Sequence, residues 1–314
     1  MPALRHLIGV DIGGTKTAVA AVHPSGTLLA RASFPTEAEL GFARAVERLI
    51  ERIEDVDSRA TAATPHSPAP GGPVGIGIGC AAPVDPALAL INNPFTLTGW
   101  NHCDIVRPLA ERFRVPVRLE NDADVAALGE CWVGAGRESR AVTMLTFGTG
   151  VGGATILDSR IFRGARGEHP ELGHTPAESG GPACYCGIAG CLESIASGTA
   201  IAEAGQSIGL ADTRQVFAAA REGHPQAQAI VRRAVDAAST AAWTLFHTLL
   251  PERLILGGGL MESEFETFAG PMRERLRRAT QFTAAAAEIV PACLGNDAGI
   301  VGAAALHRTS TPSP

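Results

Sequence analysis

One short pattern occurs twice in this chain: an apolar strand, a glycine turn and a second apolar strand. The first copy lies around Gly13 and Gly14, the second around Gly148 and Gly150. Such turns leave backbone N–H groups open to an anion at close range. A chain that repeats the unit reads as two related α/β halves, and its 314 residues suit two domains.

The intervening segments carry their own periodicities. Leu7 to Val10 and Thr17 to Val22 read as strands, followed by a third near Thr27 to Phe34. Phe42, Val46, Leu49, Ile53 and Val56 recur at helical spacing. Residues 60–73 form a Pro/Ala/Ser-rich loop, and Val74 to Ile78 read as a buried strand. A helix near Asp104 to Phe113 and a strand at Val115 to Leu119 close the first half. The second half opens with a helix to about Trp132, then a hairpin from Ala141 to Phe147 and Gly152 to Leu157. Ala-rich helices near 194–206 and 225–249, a strand at Arg253 to Leu256 and helices near 262–279 and 298–307 complete it. The expected boundary puts 1–120 in an N-terminal domain and 121–297 in a C-terminal one, with a last helix at about 298–310 packing back on the first.

Within the first turn, Asp11-Ile12-Gly13-Gly14-Thr15-Lys16 offers more than a hairpin requires. Turn chemistry explains the glycines but not Asp11, which can hold a hydrated Mg²⁺, or Thr15, whose hydroxyl adds a donor. The spacing is not that of a Walker A loop. Lys16 is the chain's one lysine beside 25 arginines. It reaches a phosphate or points to solvent, since a strand alternates its faces.

The second turn, Phe147-Gly148-Thr149-Gly150-Val151-Gly152-Gly153, satisfies a dinucleotide-type glycine search. A strand follows it where a dinucleotide fold needs a helix, so a second phosphate-facing hairpin fits better. Gly257-Gly258-Gly259 follows an apolar strand and lets a flat base or ribose lie against backbone; a helix-entry loop is the alternative. Asn121, Asp122 and Asp124 sit where a strand meets a helix. They cap that helix, or Asp122 takes the proton of an attacking hydroxyl.

Cysteine usage points to a metal. Three of seven cysteines, Cys184, Cys186 and Cys191, fall in one loop after His174. Three thiolates and one imidazole form a closed tetrahedral Zn²⁺ set, so the expected zinc is structural. Free buried thiols are the alternative. An odd cysteine number argues against a disulfide framework. The net charge of −6, with mixed signs, argues against a nucleic-acid surface. No apolar run is long enough for a membrane helix, and the N-terminus makes a poor secretion signal. A cytoplasmic location is expected.

Together these motifs, in this order from Asp11 to about Gly302, resemble the ROK family of bacterial sugar kinases. The resemblance implies the actin-like ATPase (ribonuclease H-like) fold, with two α/β domains around a cleft. It implies ATP-dependent phosphorylation of a hexose 6-hydroxyl, with Mg²⁺ and structural Zn²⁺, glucose first among the acceptors. N-acetylmannosamine, N-acetylglucosamine and fructose are the alternatives, as is a sugar-binding regulatory pseudokinase. By the match Asp122 is the base, and Asn121, Glu171, His174 and Glu193 contact sugar. His174, Cys184, Cys186 and Cys191 bind zinc. Asp11, Gly13, Gly14, Thr15, Lys16, Gly148, Thr149, Gly150, Gly257, Gly258 and Gly259 serve the nucleotide and its phosphates, and Asp297-Ala298-Gly299 looks like the adenosine-side motif. A homodimer is expected. A repressor of the same family would need a DNA-binding domain ahead of Asp11, and ten residues are too few. Cys80-Ala81-Ala82-Pro83 and Pro170 depart from the family pattern on the sugar side.

Overall fold

The computed structural model describes residues 6–62, 72–81, 84–85, 88–93, 96–278 and 287–308. In chain order its strands and helices begin with β1 (Leu7–Ile12), β2 (Lys16–Val22), β3 (Leu28–Pro35) and α1 (Phe42–Ala62). β4 (Ile76–Cys80), β5 (Val84–Asp85), β6 (Leu90–Asn93), β7 (Trp100–Cys103), α2 (Val106–Phe113), β8 (Val117–Asn121) and α3 (Asp122–Val133) follow. Then come β9 (Ala141–Phe147), β10 (Val151–Leu157), β11 (Arg160–Ile161), α4 (Glu193–Ala196), α5 (Gly198–Gln206), α6 (Thr213–Arg221) and α7 (Pro225–Thr248). β12 (Arg253–Gly257), α8 (Met261–Arg277), β13 (Glu288–Pro291) and α9 (Ala298–Ala305) end the series.

Two compact units result. One holds the chain up to Glu138, Ile156–His169 and everything from Leu294; the other holds Ser139–Thr155 and Pro170–Cys293. The division therefore differs from a cut at residue 121: α3 lies in the first unit, where it packs on α9. The reason is steric. Gly302 of α9 approaches Val125 of α3 so closely that an added Cβ would fall 1.5 Å from the Val125 carbonyl oxygen.

In the first unit the sheet order is β3-β2-β1-β4-β8, with β1 antiparallel to β2 and parallel to β4. Strand periodicity splits its side chains between two cores. Ile8, Val10, Ile12, Val19 and Ala21 meet Leu49, Ile53 and Val56 of α1 and Leu109 of α2. Ala18, Ala20 and Val22 meet Trp132, Ile300, Val301 and Ala304. With both faces covered, the strands are continuous apolar runs, and each fully buried Ile contributes about 1.5–3 kcal/mol.

The second unit repeats the pattern. β10, β9, β12 and β13 lie in that order, β12 parallel to both β9 and β13, and β11 pairs with Ile156 and Leu157 at the end of β10. Its core joins Leu145, Phe147, Leu254 and Leu256 to Ala234, Ala238, Phe246 and Phe268 of the covering helices. Strand by strand, β3-β2-β1-β4-β8 and β11-β10-β9-β12-β13 correspond.

Some elements depart from the sequence reading. The helix expected over 194–206 is broken at Ser197, whose extended backbone lets its hydroxyl cap α5 by accepting the Ala200 N–H. β5, β6, β7, β13 and α6 were not expected. The strands have four residues or fewer, too few for alternation to show, and α6 has only nine. α1 runs to Ala62, and most of the Pro/Ala-rich loop, with Ala82 and Pro83, lies outside the described residues.

Candidate functional site

In the first unit, the β1–β2 turn is braced from β3's end. Gly13 N–H donates to Lys16 O at 2.9 Å, and the Thr36 hydroxyl donates to Gly13 O at 2.7 Å. Gly14, Thr15 and Lys16 are exposed. Asp11 closes β1 on the face that α9 covers. A Cβ on Gly299 would fall 2.6 Å from Asp11 Oδ2, and Asp297 pairs with Arg31 at 2.8 Å. The expected adenosine-side segment thus abuts Asp11.

At the β8–α3 corner, Asn121 is the helix cap: its Oδ1 accepts the N–H groups of Ala123 at 2.8 Å and Asp124 at 3.3 Å. Asp122 opens the helix, and its Oδ1 also accepts the Ala123 N–H at 2.8 Å. The cap that the sequence offers to several residues of this corner is Asn121. Burial pushes the Asp122 carboxyl up to about 6, against the pull of the Ala123 N–H and the charge of His169. Burial, then the charge of Asp122, likewise pushes Asp11 up to about 6, while Lys16 and Arg31 pull it down. A carboxylate of that basicity is ionised at neutral pH and still strong enough to take a proton.

In the second unit, the β9–β10 turn is closed by Gly148 N–H donating to Gly150 O at 2.9 Å. The start of α5 rests on it, with Gly198 N–H donating to Gly148 O at 2.8 Å. Gly148, Thr149, Gly198, Thr213, Arg221 and Gly259 line a cavity of about 1120 Å³. That is ample for a nucleotide. Gly257 and Gly258 do not line it; Gly258 has φ of 87° and packs on the Phe147 backbone.

The Cys-rich loop also belongs to the second unit. Ligand atoms of His174, Cys184, Cys186 and Cys191 all lie within 4.8 Å of one another. Cys186 and Cys191 sulfurs are 3.4 Å apart, and Cys184 Sγ is 3.5 Å from His174 Nδ1. A tetrahedron with Zn–S bonds of about 2.3 Å has edges of about 3.8 Å, so the donor set fits zinc. Pro176 bridges Cys191, Leu192 N–H donates to Thr175 O, and His174 stacks edge-on against Tyr185 at 5.0 Å. Glu193, the first residue of α4, accepts the Val151 N–H at 2.8 Å and is hydrogen-bonded to Tyr185. Glu171 stands exposed ahead of the turn that carries His174.

Arg163, Asp124 and His169 form a polar cluster at the β8–α3 corner whose contacts the sequence does not disclose. No spacing marks them, because Arg163 and His169 reach Asp124 from a distant loop.

Two five-stranded sheets of one strand order, each with a glycine hairpin between its first two strands, belong to the actin-like ATPase fold class. The ROK family model matches residues 7–310, and the chain belongs to that family. A glucokinase of Thermotoga maritima is 34% identical, with 98% of each chain covered. The ROK hexokinase of Thermus thermophilus has a TM-score of 0.83 at 33% identity, covering 96% of this chain and 97% of its own. A ROK family glucokinase of Streptomyces griseus, solved with glucose and AMPPNP, has a TM-score of 0.74 at 29% identity, covering 96% and 98%.

Proposed function

We propose that this protein is an ATP-dependent hexose kinase acting on the 6-hydroxyl of glucose. The observation that carries the reading is the half-buried Asp122 carboxyl, raised to about 6 at the head of α3 in a ROK-family chain. The hydroxyl oxygen attacks the γ-phosphorus of ATP, the bond to the β–γ bridging oxygen breaks, and Asp122 accepts the hydroxyl proton. Phosphoryl transfer has a loose transition state, so positioning and charge neutralisation do most of the work. The exposed Gly14 and Thr15 of the turn that the Gly13 N–H closes, and the Gly148–Gly150 turn, are the proposed phosphate contacts, and the cavity beside Thr149 and Gly259 is the proposed nucleoside site. Asp11 is suited to hold hydrated Mg²⁺, which neutralises phosphate charge when bound.

Asn121, Glu171, His174 and Glu193 are the proposed hexose ligands. His174 with Cys184, Cys186 and Cys191 would hold a structural zinc, whose role is to rigidify the loop. The reading includes a cytoplasmic homodimer without nucleic-acid or membrane partners; among the described residues no helix is long and apolar enough to cross a membrane.

The deciding experiment measures ADP release with ATP and a panel of glucose, N-acetylmannosamine, N-acetylglucosamine and fructose. Highest kcat/KM on glucose supports the assignment. A higher value on an N-acetylated sugar moves the substrate, and no turnover on any hexose overturns the kinase reading in favour of a sugar-binding regulator.

A further inference from the structure

The β8–α3 corner contains charged side chains that the proposed reaction leaves without a task. Asp124 is 0% exposed. Its Oδ2 forms an ion pair with Arg163 Nη1 at 2.7 Å and a hydrogen bond with His169 Nδ1 at 2.8 Å, while Oδ1 has no hydrogen-bond partner among the described residues. The second guanidinium nitrogen, Nη2, pairs with Glu120 Oε2. Glu120 Oε1 in turn accepts the Asn121 N–H at 3.0 Å. One guanidinium therefore joins the residue two before Asp122 to the residue two after it.

Such a cluster is a poor way to gain stability. A fully enclosed carboxylate needs strong partners to offset lost hydration, and apolar side chains of equal volume fill space without that cost. What the cluster supplies is geometry. β8 ends at Asn121 and α3 starts at Asp122 with no loop between them. The direction of the Asp122 carboxyl is thus set by the angle of the corner. Strand hydrogen bonds fix one side of it and helix hydrogen bonds the other. The planar fork of Arg163 spans both sides, which the compact point charge of a lysine cannot do. His169 supports the same Asp124 oxygen.

We infer that Arg163, supported by His169, is a positioning residue of the kinase reaction, holding Glu120 and Asp124 together and so aiming the Asp122 carboxyl. The inference rests on the reading of Asp122 as the base.

Four variants test it: Arg163→Lys, His169→Ala, His169→Asn and Asp122→Asn, each measured for Tm, kcat and the KM of hexose and ATP. Arg163→Lys keeps the charge but loses the fork. Its kcat should fall at least about tenfold with both KM values changed less than about threefold, because misaimed groups cost rate before binding. His169→Ala should lower kcat in the same way, and His169→Asn, whose Nδ2 stands near the place of the ring Nδ1, should restore most of it. Native kcat in Arg163→Lys and His169→Ala, or losses that vanish when the assay is run well below each Tm, would overturn the inference. Should Arg163→Lys fail to fold, the two His169 variants decide alone. Native turnover in Asp122→Asn would instead remove the base assignment, a separate failure.

Discussion

Glu193 Oε2 accepts the Val151 N–H at 2.8 Å, and the same oxygen lies 2.4 Å from where a Cβ on Gly150 would stand. Glu193 follows Cys191 by two residues and is hydrogen-bonded to Tyr185 of the Cys-rich loop. One carboxylate therefore connects the Cys-rich loop to the β9–β10 hairpin within the second unit.

Gly150→Ala is expected to push Glu193 off the Val151 N–H while leaving the fold of the unit intact, because the clash is with a side-chain tip. A shift of about 1 Å at a positioned group can cost on the order of 10²-fold in rate. A coupled ADP assay should show kcat/KM down by at least tenfold with Tm nearly unchanged. Native kinetics would mean that Glu193 moves aside without consequence.

For Asp122 the sign of the pH effect follows from burial. Its carboxyl is raised to about 6, above the ordinary value of 3.8, so it takes up a proton in the folded protein as pH drops below 6. The base is then lost, and kcat/KM should fall on the acid side with a midpoint near pH 6. The stability effect has the opposite direction. The protonated form favours the fold fully below about pH 4, and that contribution is lost as pH rises through 6. Asp122→Asn should therefore lower kcat by about 10²–10⁴-fold yet raise stability at pH 7 by on the order of 1–3 kcal/mol. Thermal unfolding and steady-state kinetics on one preparation check both halves; a variant that is both inactive and less stable would contradict the burial argument.

Much of this was legible because the informative contacts are local. DIGGTK, ENDAD and the Cys-rich loop are each contiguous, and glycine, carboxylate and thiol chemistry can be read from spacing alone. The duplicated hairpin was visible for the same reason, and the matching strand orders of the two sheets explain it. What escaped was non-local. That α3 belongs with α9 depends on the Gly302–Val125 approach between residues far apart in sequence. The Arg163–Asp124 pair is likewise long-range, and one arginine among 25 carries no mark. β13 and β6 are four-residue strands whose identity comes from their neighbours' hydrogen bonds.

The α3–α9 contact gives a stability prediction independent of function. Gly302→Ala would place a Cβ 1.5 Å from the Val125 carbonyl oxygen, and backbone cannot step aside as a side chain does. The two helices must separate, which opens the core formed by Trp132, Ile300 and Val301. The cost should exceed the ~1–3 kcal/mol of ordinary overpacking. Urea unfolding followed by tryptophan fluorescence, to which Trp132 contributes beside Trp100 and Trp243, should show an early transition. An unchanged midpoint would show that α9 does not pack as described.

Zinc provides the last test, because its removal separates folding from chemistry. The four candidate ligands come from a 3-10 turn and a loop that are joined otherwise by few backbone hydrogen bonds, among them Leu192 to Thr175 and Ala177 to Gly190. Without the ion, three thiols and an imidazole in close contact have little to hold them, and Glu193 loses its anchor on the Tyr185 side. Purified protein should contain about one zinc per chain, and Cys184→Ser and Cys191→Ser should each lose it. Both should lower Tm and raise the KM for hexose more than that for ATP, since His174 is a proposed hexose ligand and the nucleoside cavity contains none of the four. Metal analysis showing no zinc, or serine variants with native hexose KM, would leave the loop a hydrogen-bonded turn and remove the metal from the account.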